Sequence, residues 1–307
     1  MPTPTRRPAA ELPPLPLDEW EDTKTTLHLY LQVVGKVRLA RMPPRNHWWH
    51  VPLYVASRGL TTRAVPYGGG GETFQVDLDL LDHRAVATTS EGGRRSFTLG
   101  LPVADFHREL FAALDALGVE ATIRAEPFDL PFSTPFPADR EHRAWDPAAV
   151  ERFWRALVWI GGVFEEFAGR FAGKATPVHL FWHSFDLAYS RFSGRRAPAM
   201  EGAGDVAREA YSHEVTSFGF WAGDAKVREA MFYSYVYPVP EGLTDRPLHP
   251  DAARWVGEGG GAQARLPYAA VRESPDPRAA LLDFLESAYL AEAEAGGWPV
   301  EELRRDG

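Results

Sequence analysis

The sequence predicts an α+β fold of two consecutive halves, each running helix, antiparallel β-meander, helix, with the helices packed on one face of the sheet. Three observations carry this. Four stretches repeat apolar residues at helical spacing between recognisable start and stop signals. The stretches between them alternate apolar and polar residues. The order of elements in residues 18–117 then recurs in residues 147–295.

The first helix follows Pro16, with Asp18 as its expected cap and Glu21 at capping-box spacing. Trp20, Leu27, Tyr30, Leu31, Val34 and Val37 form its stripe, and Pro43-Pro44 stops it. Strands are expected over 50–57, 73–80, 85–89 and 95–99, with turns at Leu81-Asp82-His83-Arg84 and Glu91-Gly92-Gly93. The second helix opens near Pro102 and carries Val103, Phe106, Leu110, Leu114 and Leu117 to a stop at Gly118.

In the third helix Asp146 is the cap and Pro147 occupies the first turn, where a missing N–H is not needed. Its stripe, from Val150 through Phe153, Trp154, Leu157, Ile160, Phe164 and Phe167 to Phe171, marks it as the expected central helix. Strands follow over 178–183, 186–192, 212–220, 231–237 and 264–268. The last helix starts at Asp276-Pro277 and runs through Leu281, Leu282, Leu285 and Tyr289 to Gly296.

The expected organisation is a disordered lead-in (1–16), an N-terminal half (17–124), a Pro/Phe-rich connector (125–146), a C-terminal half (147–296) and a tail (297–307). Phe128, Phe132 and Phe136 recur every fourth residue in the connector and are expected to insert into the protein. Gly202–Asp205 and Gly257–Gly261 read as loose excursions.

With 307 residues, 45% of them hydrophobic, the chain has apolar mass for a large core. The absence of Cys excludes disulfides, thiolate nucleophiles and Cys-ligated metals. A net charge of −9 argues against a nucleic-acid partner. No run of 18 uncharged apolar residues suggests a membrane span, and Met1–Pro16 lacks the apolar stretch of a secretory signal, so the expected location is the cytoplasm. No nucleophile elbow, P-loop or H-E-x-x-H string is present. Gly68–Gly71 reads as a hairpin rather than a phosphate cradle, because no strand-to-helix switch surrounds it and no Lys follows.

Three clusters stand out as candidate sites. Arg45-Asn46-His47-Trp48-Trp49-His50 lies between a helix stop and a strand, where loops commonly carry function. His179 and His183 share one face of an expected strand, yet about 13 Å separates Cα atoms four residues apart in a strand, too far for one zinc ion. A shared metal would need a further partner such as His213-Glu214, so no metal is assigned. Tyr233 and Tyr235 place hydroxyls at the ends of apolar rings, which suits a lined cavity. Arg191 and Arg195 are the expected clamps for a small acidic ligand. Asp186 and the connector residue His142 complete the set.

The strings PRNHWWHVPLYV, ADREHRAWDPAAVERFWRAL, GKATPVHLFWHSFDLAYSRFSGRRAP and YSHEVTSFGFWAG resemble a bacterial family of unknown function, the domain of unknown function 5996 family, from about Leu17 to the last helix. The resemblance supplies no activity to carry over, and the cofactor is left open. It implies that the stretches bearing His47, His50, His142, His179 and His213 are family hallmarks, which favours one shared site. The favoured expectation is a small-molecule binding or enzymatic protein with a His/Arg/Tyr-lined pocket between the halves, a His serving as general base in an enzyme. The alternative is a non-catalytic interaction module or homodimer built on exposed aromatics, and a metal-dependent hydrolase ranks third.

Overall fold

The computed structural model describes residues 12–257 and 261–305. The first half comprises α1 (Glu21–Arg41), strands β1 (Tyr54–Ala56), β2 (Gly59–Thr61), β3 (Val65–Pro66), β4 (Thr73–Asp79), β5 (Arg84–Thr89) and β6 (Arg94–Thr98), and α2 (Val103–Asp115). The second half comprises α3 (Pro147–Gly169), β7 (His179–Phe181), β8 (Asp186–Arg196), α4 (Asp205–Ala210), β9 (His213–Trp221), β10 (Met231–Tyr237), β11 (Arg254–Val256), β12 (Gln263–Pro267), α5 (Tyr268–Arg272), α6 (Pro277–Ala295) and α7 (Val300–Leu303).

The fold is α+β, with two six-stranded antiparallel sheets. The first is a meander in the order β1-β2-β4-β5-β6, with β3 also pairing with β4. The second has the order β11-β12-β10-β9-β8-β7, so β12 returns to pair with β10 and leaves β11 at the edge. The alternation in β4 is read out directly. Phe74, Val76 and Leu78 are buried, while Gln75, Asp77 and Asp79 are half-buried on the other face.

One backbone bridge links the two sheets. Leu53 N–H donates to Leu180 O at 2.9 Å, and Leu180 N–H donates to Leu53 O at 2.8 Å. The apolar core runs without a break from Leu12 to Trp298.

The central helix is α1 rather than the expected α3, because α1 is buried all round. Its polar residues are buried with it, and neighbouring elements satisfy several of them. Gln32 donates to Phe128 O and accepts from Phe128 N, both at 2.8 Å. Arg38 donates to Thr62 O, and the Lys36 ammonium lies over the Phe136 and Trp182 rings. The start of α1 also differs from expectation. Trp20 is its cap residue without a side-chain bond, and Asp18 and Glu21 instead pair with Arg228. The expected Asp caps of α3 and α6 are present: Asp146 accepts from Ala148 and Ala149 N–H, and Asp276 from Ala279 N–H.

Several segments expected to be loose are packed. Leu12 and Leu15 of the lead-in and Trp298 of the tail are core residues, and Leu303 O accepts from Ala172 N–H. Residues 1–11 of the lead-in lie outside the described residues, as do 258–260 of the expected excursion at Gly257–Gly261. In the other expected excursion, Asp205 opens α4. The Gly68–Gly71 turn joins β3 to β4, and the Glu72 carboxylate takes the Gly69 and Gly70 N–H groups. Of the connector aromatics, Phe136 is fully buried and Phe132 stacks on His142, but Phe128 is 56% exposed. Gln32 holds Phe128 by its backbone, so its ring is not needed as an anchor.

Two outcomes follow from this packing. A Cβ on Gly35 would lie 2.2 Å from the Trp182 ring, and that ring is pinned by its Nε1–H bond to Val51 O at 3.0 Å. Gly35→Ala is therefore expected to destabilise by roughly 1–3 kcal/mol through overpacking, where an exposed helix position would gain about 1 kcal/mol from the same change. Equilibrium urea unfolding reads the sign.

Glu292 of α6 is fully buried beneath the second sheet, accepting from Ser234 Oγ at 2.8 Å and from Thr216. Burial pushes its carboxyl up to about 8 from 4.5. The folded state thus keeps a proton that the unfolded chain sheds, and stability falls as pH rises through that window. Glu292→Gln removes this slope and is expected to gain roughly 2–4 kcal/mol on the wild type between about pH 5 and about pH 8. Parallel slopes for the two proteins in pH-dependent thermal unfolding would refute the assignment.

Candidate functional site

One face of the second sheet lies against α3 and α6; the other is the floor of a cavity of about 810 Å³. Strand alternation sorts the residues between them. Asp186, Ala188, Ser190 and Phe192 of β8, Val215, Ser217 and Trp221 of β9, Met231, Tyr233 and Tyr235 of β10, and Gln263 and Arg265 of β12 line the cavity. Lys24 and His28 of α1, Trp48 and Trp49 of the 46–49 turn, Asp129 and Leu130 of the connector, and α4 line the rest. Both halves and the connector therefore contribute to the wall.

The floor carries a polar ladder. Tyr233 donates to the Asp186 carboxyl, which also accepts from Ser184. The Tyr233 and Tyr235 rings lie nearly parallel, 6.0 Å apart, and the Tyr235 and Tyr211 hydroxyls are 3.0 Å apart. Ser190 and Ser217 share a hydrogen bond of 2.7 Å. Gly219 makes room for this arrangement, since a Cβ there would lie 2.2 Å from the Tyr233 ring. Burial raises the Asp186 carboxyl above the usual range and lowers His183 beside it. Burial, then Asp186, lifts the Tyr233 phenol well above its ordinary value. The ladder meets the cavity mainly through hydroxyl groups that both donate and accept.

Backbone strain gathers around the same space. Among the described residues six non-glycine residues have positive φ, and four of them line the cavity: His47 (56°), Trp48 (60°), Asp129 (54°) and Phe185 (61°). Such conformations cost about 1 kcal/mol or more each and persist only where the surroundings impose them.

His47 lines the cavity and anchors its α4 side. Its Nδ1 lies 3.1 Å from Ala210 O, which can only accept, so Nδ1 carries the hydrogen and Nε2 accepts from Lys174 Nζ at 2.9 Å. His213 meets the His47 ring edge-on at 5.3 Å. His183, Asp186, Tyr233 and Tyr235 also lie where a cavity ligand would touch them.

The other candidates sit elsewhere. Arg191, expected as an anion clamp, points to the helix side of β8; it is buried over the Phe167 and Tyr289 rings and donates to Phe167 O. Its odd-numbered position places it opposite the even-numbered floor residues. Arg195 and Glu214 pair with each other, and Arg195 also binds Gly296 O and Gly297 O, so neither lines the cavity. His179 is 1% exposed, edge-on to Phe181, and burial lowers it to about 3. His183 does not share a strand with it, since β7 ends at Phe181 and a turn follows.

His50 accepts from Arg45 N–H and stacks on Trp48, while Arg45 and Asn46 are exposed. His142 binds the buried Asp139 at 2.7 Å, and the backbone carbonyls of both take N–H groups at the start of α2. Among the described residues no cluster of three His, Asp or Glu is placed to hold a metal ion. Sequence reasoning missed Lys24, His28, Trp221 and Arg265. Lys24 and His28 sit one turn apart on α1, but only the position of α1 aims them here.

The fold and site define an α+β protein with an aromatic-walled cavity on one sheet face. The chain belongs to the Family of unknown function (DUF5996), whose profile matches residues 12–305. Comparisons with curated proteins and with solved structures give no match.

The His47 anchor makes a checkable statement. Burial, followed by Lys174 and His213, lowers the His47 pKa below 6.5, so its neutral form is the folded one. Stability from this contact is present above about pH 6.5 and is lost as pH falls through the lowered value. Amide-exchange protection of residues 205–210, corrected for intrinsic rates, is expected to fall as pH drops below about 6.5. His47→Phe should abolish that dependence.

Proposed function

We propose that the protein binds a small, largely apolar and planar molecule in the cavity over the second sheet. The observation that carries the reading is the concentration of strained backbone, four residues of six, around one space. Strain of that kind is kept where a wall must present particular side chains. The wall it presents is aromatic, including Trp48, Trp49, Phe181, Phe185, Phe192 and Trp221, while the Tyr–Asp ladder offers a polar head group several hydrogen bonds. Its volume lies in the range of sites for cofactor-sized ligands.

An acidic ligand fits less well than a neutral one. Arg191 and Arg195 face away, and the cavity wall carries Asp129, Asp186 and Asp224 as well as Lys24 and Arg265. The aromatics that suggested a flat interaction surface turn inward instead. The exposed large hydrophobics, Phe128, Val158, Val206 and Leu290, come from four separate segments.

Native mass spectrometry of the purified protein, followed by thermal-shift screening of neutral aromatic alcohols, phenols and amides, tests the reading. Ala188 lies in the middle of the floor, and Ala188→Phe is expected to fill the space and weaken binding at least about tenfold, the equivalent of roughly 1.4 kcal/mol. Equal ligand responses from the wild type and this variant would overturn the placement of the site.

A further inference from the structure

Lys24 is the one lysine in the cavity wall, and the chain has only three others, Lys36, Lys174 and Lys226. Its side chain is buried, with the ammonium position 5.5 Å from the centre of the Phe185 ring. Among the described residues no carboxylate oxygen lies within 4 Å of its nitrogen, and no hydrogen-bond acceptor holds it. The nearest carboxylates are engaged elsewhere. Glu21 pairs with Arg228, and Asp224 Oδ1 takes the N–H groups of Lys226 and Val227 at 2.7 and 2.9 Å. His28, one turn on along α1, shares its Nε2 hydrogen between Trp182 O and His183 O and brings no negative charge.

A desolvated amine without an ion-pair partner is an unusual thing to keep beside a ligand cavity. Of the other three, Lys174 binds His47, Lys36 lies over Phe136 and Trp182 outside the cavity wall, and Lys226 is exposed. Resting on the cavity reading above, we propose that Lys24 captures the carbonyl group of an aldehyde or ketone ligand as an imine, with the Tyr–Asp ladder and aromatic wall holding the rest of the molecule.

The step balances without an oxidant. The Nζ lone pair forms a bond to the carbonyl carbon, the carbonyl oxygen leaves as water with the two amine hydrogens, and a carbon–nitrogen double bond remains. Burial lowers the Lys24 pKa against the opposing pull of Asp224 and Glu21, and Arg228 adds to the lowering, which raises the fraction of neutral amine at neutral pH. Asp186, whose carboxyl burial raises above its usual range, and Tyr233 line the same cavity.

The test uses the full chain with limiting 4-hydroxybenzaldehyde and cyanoborohydride near neutral pH, followed by peptide mapping of the four lysines. Lys24 is expected to be labelled at least about tenfold faster than Lys226 and Lys174, because binding in the cavity holds the carbonyl beside its nitrogen. It should also outpace Lys36, which burial lowers too but which does not line the cavity. Lys24→Met should lose that label while the other three rates stay unchanged, and the wild-type rates decide the matter even if the variant folds poorly. In parallel, 4-hydroxybenzyl alcohol, which has no carbonyl, reports cavity occupancy by quenching of tryptophan fluorescence. Quenching by the alcohol with no preference for Lys24 overturns the imine inference and leaves the cavity reading standing. No quenching and no preference overturn both for this ligand class. A preference that survives Ala188→Phe overturns the inference as a cavity reaction, because it would then be simple surface reactivity.

Discussion

The close approach of α1 to the turn after β7 sets the geometry of everything else. Gly35 lets the Trp182 ring lie against the helix, and Trp182 in turn binds Val51 O from the first half. Two residues away, Leu180 and Leu53 exchange backbone hydrogen bonds and join the edges of the two sheets. One glycine, one indole and one β-bridge thus fix how the halves meet. Because α1 is gripped from all sides, its polar residues are buried as well and must be satisfied or tolerated there. His28 and Gln32 find backbone partners, whereas Lys24 is left facing the cavity.

The second sheet carries two kinds of buried polarity on its two faces. Toward α3 and α6 the polar groups are locked: Glu292 receives two hydroxyls, and Arg191 lies over aromatic rings with a carbonyl to bind. Such groups stabilise one packing arrangement and leave nothing free for a ligand. Toward the cavity the groups form an open ladder, in which Asp186 binds Tyr233, Tyr211 binds Tyr235, the Tyr233 and Tyr235 rings stack, and all four border the cavity. The difference follows from what covers each face. Two long helices press on one, while the start of α1, the connector, short turns and the short α4 border the other.

Much of the fold was legible because its signals are local. The Asp-Pro starts of α3 and α6 work within one helical turn, and the alternation in β4 follows from the two-residue period of a strand. The short strands β1, β2, β3 and β11 were read poorly or missed, since two or three residues display no period and exist only through pairing with a longer neighbour. Calling α3 rather than α1 the central helix was the error natural to sequence reasoning. A helix with Lys, His, Gln and Arg scattered round it looks half-exposed, and only its neighbours reveal that all sides are covered.

Residue type and chain order determined the α+β class, the capped starts of α3 and α6, the shared face of Tyr233 and Tyr235 on β10, and the placing of the His47 loop among the candidate stretches. They did not determine which face of a sheet becomes a floor. Arg191 and Asp186 lie five residues apart on one strand, so opposite faces were certain, but choosing the cavity side required knowing that α3 and α6 pack on the other. Lys24 joins the site from a stretch that reads as an ordinary amphipathic helix start. Its place in the cavity wall rests on contacts across more than 150 residues of chain, as with Phe185, which arise when separate hydrophobic surfaces bury one another and which no local pattern records.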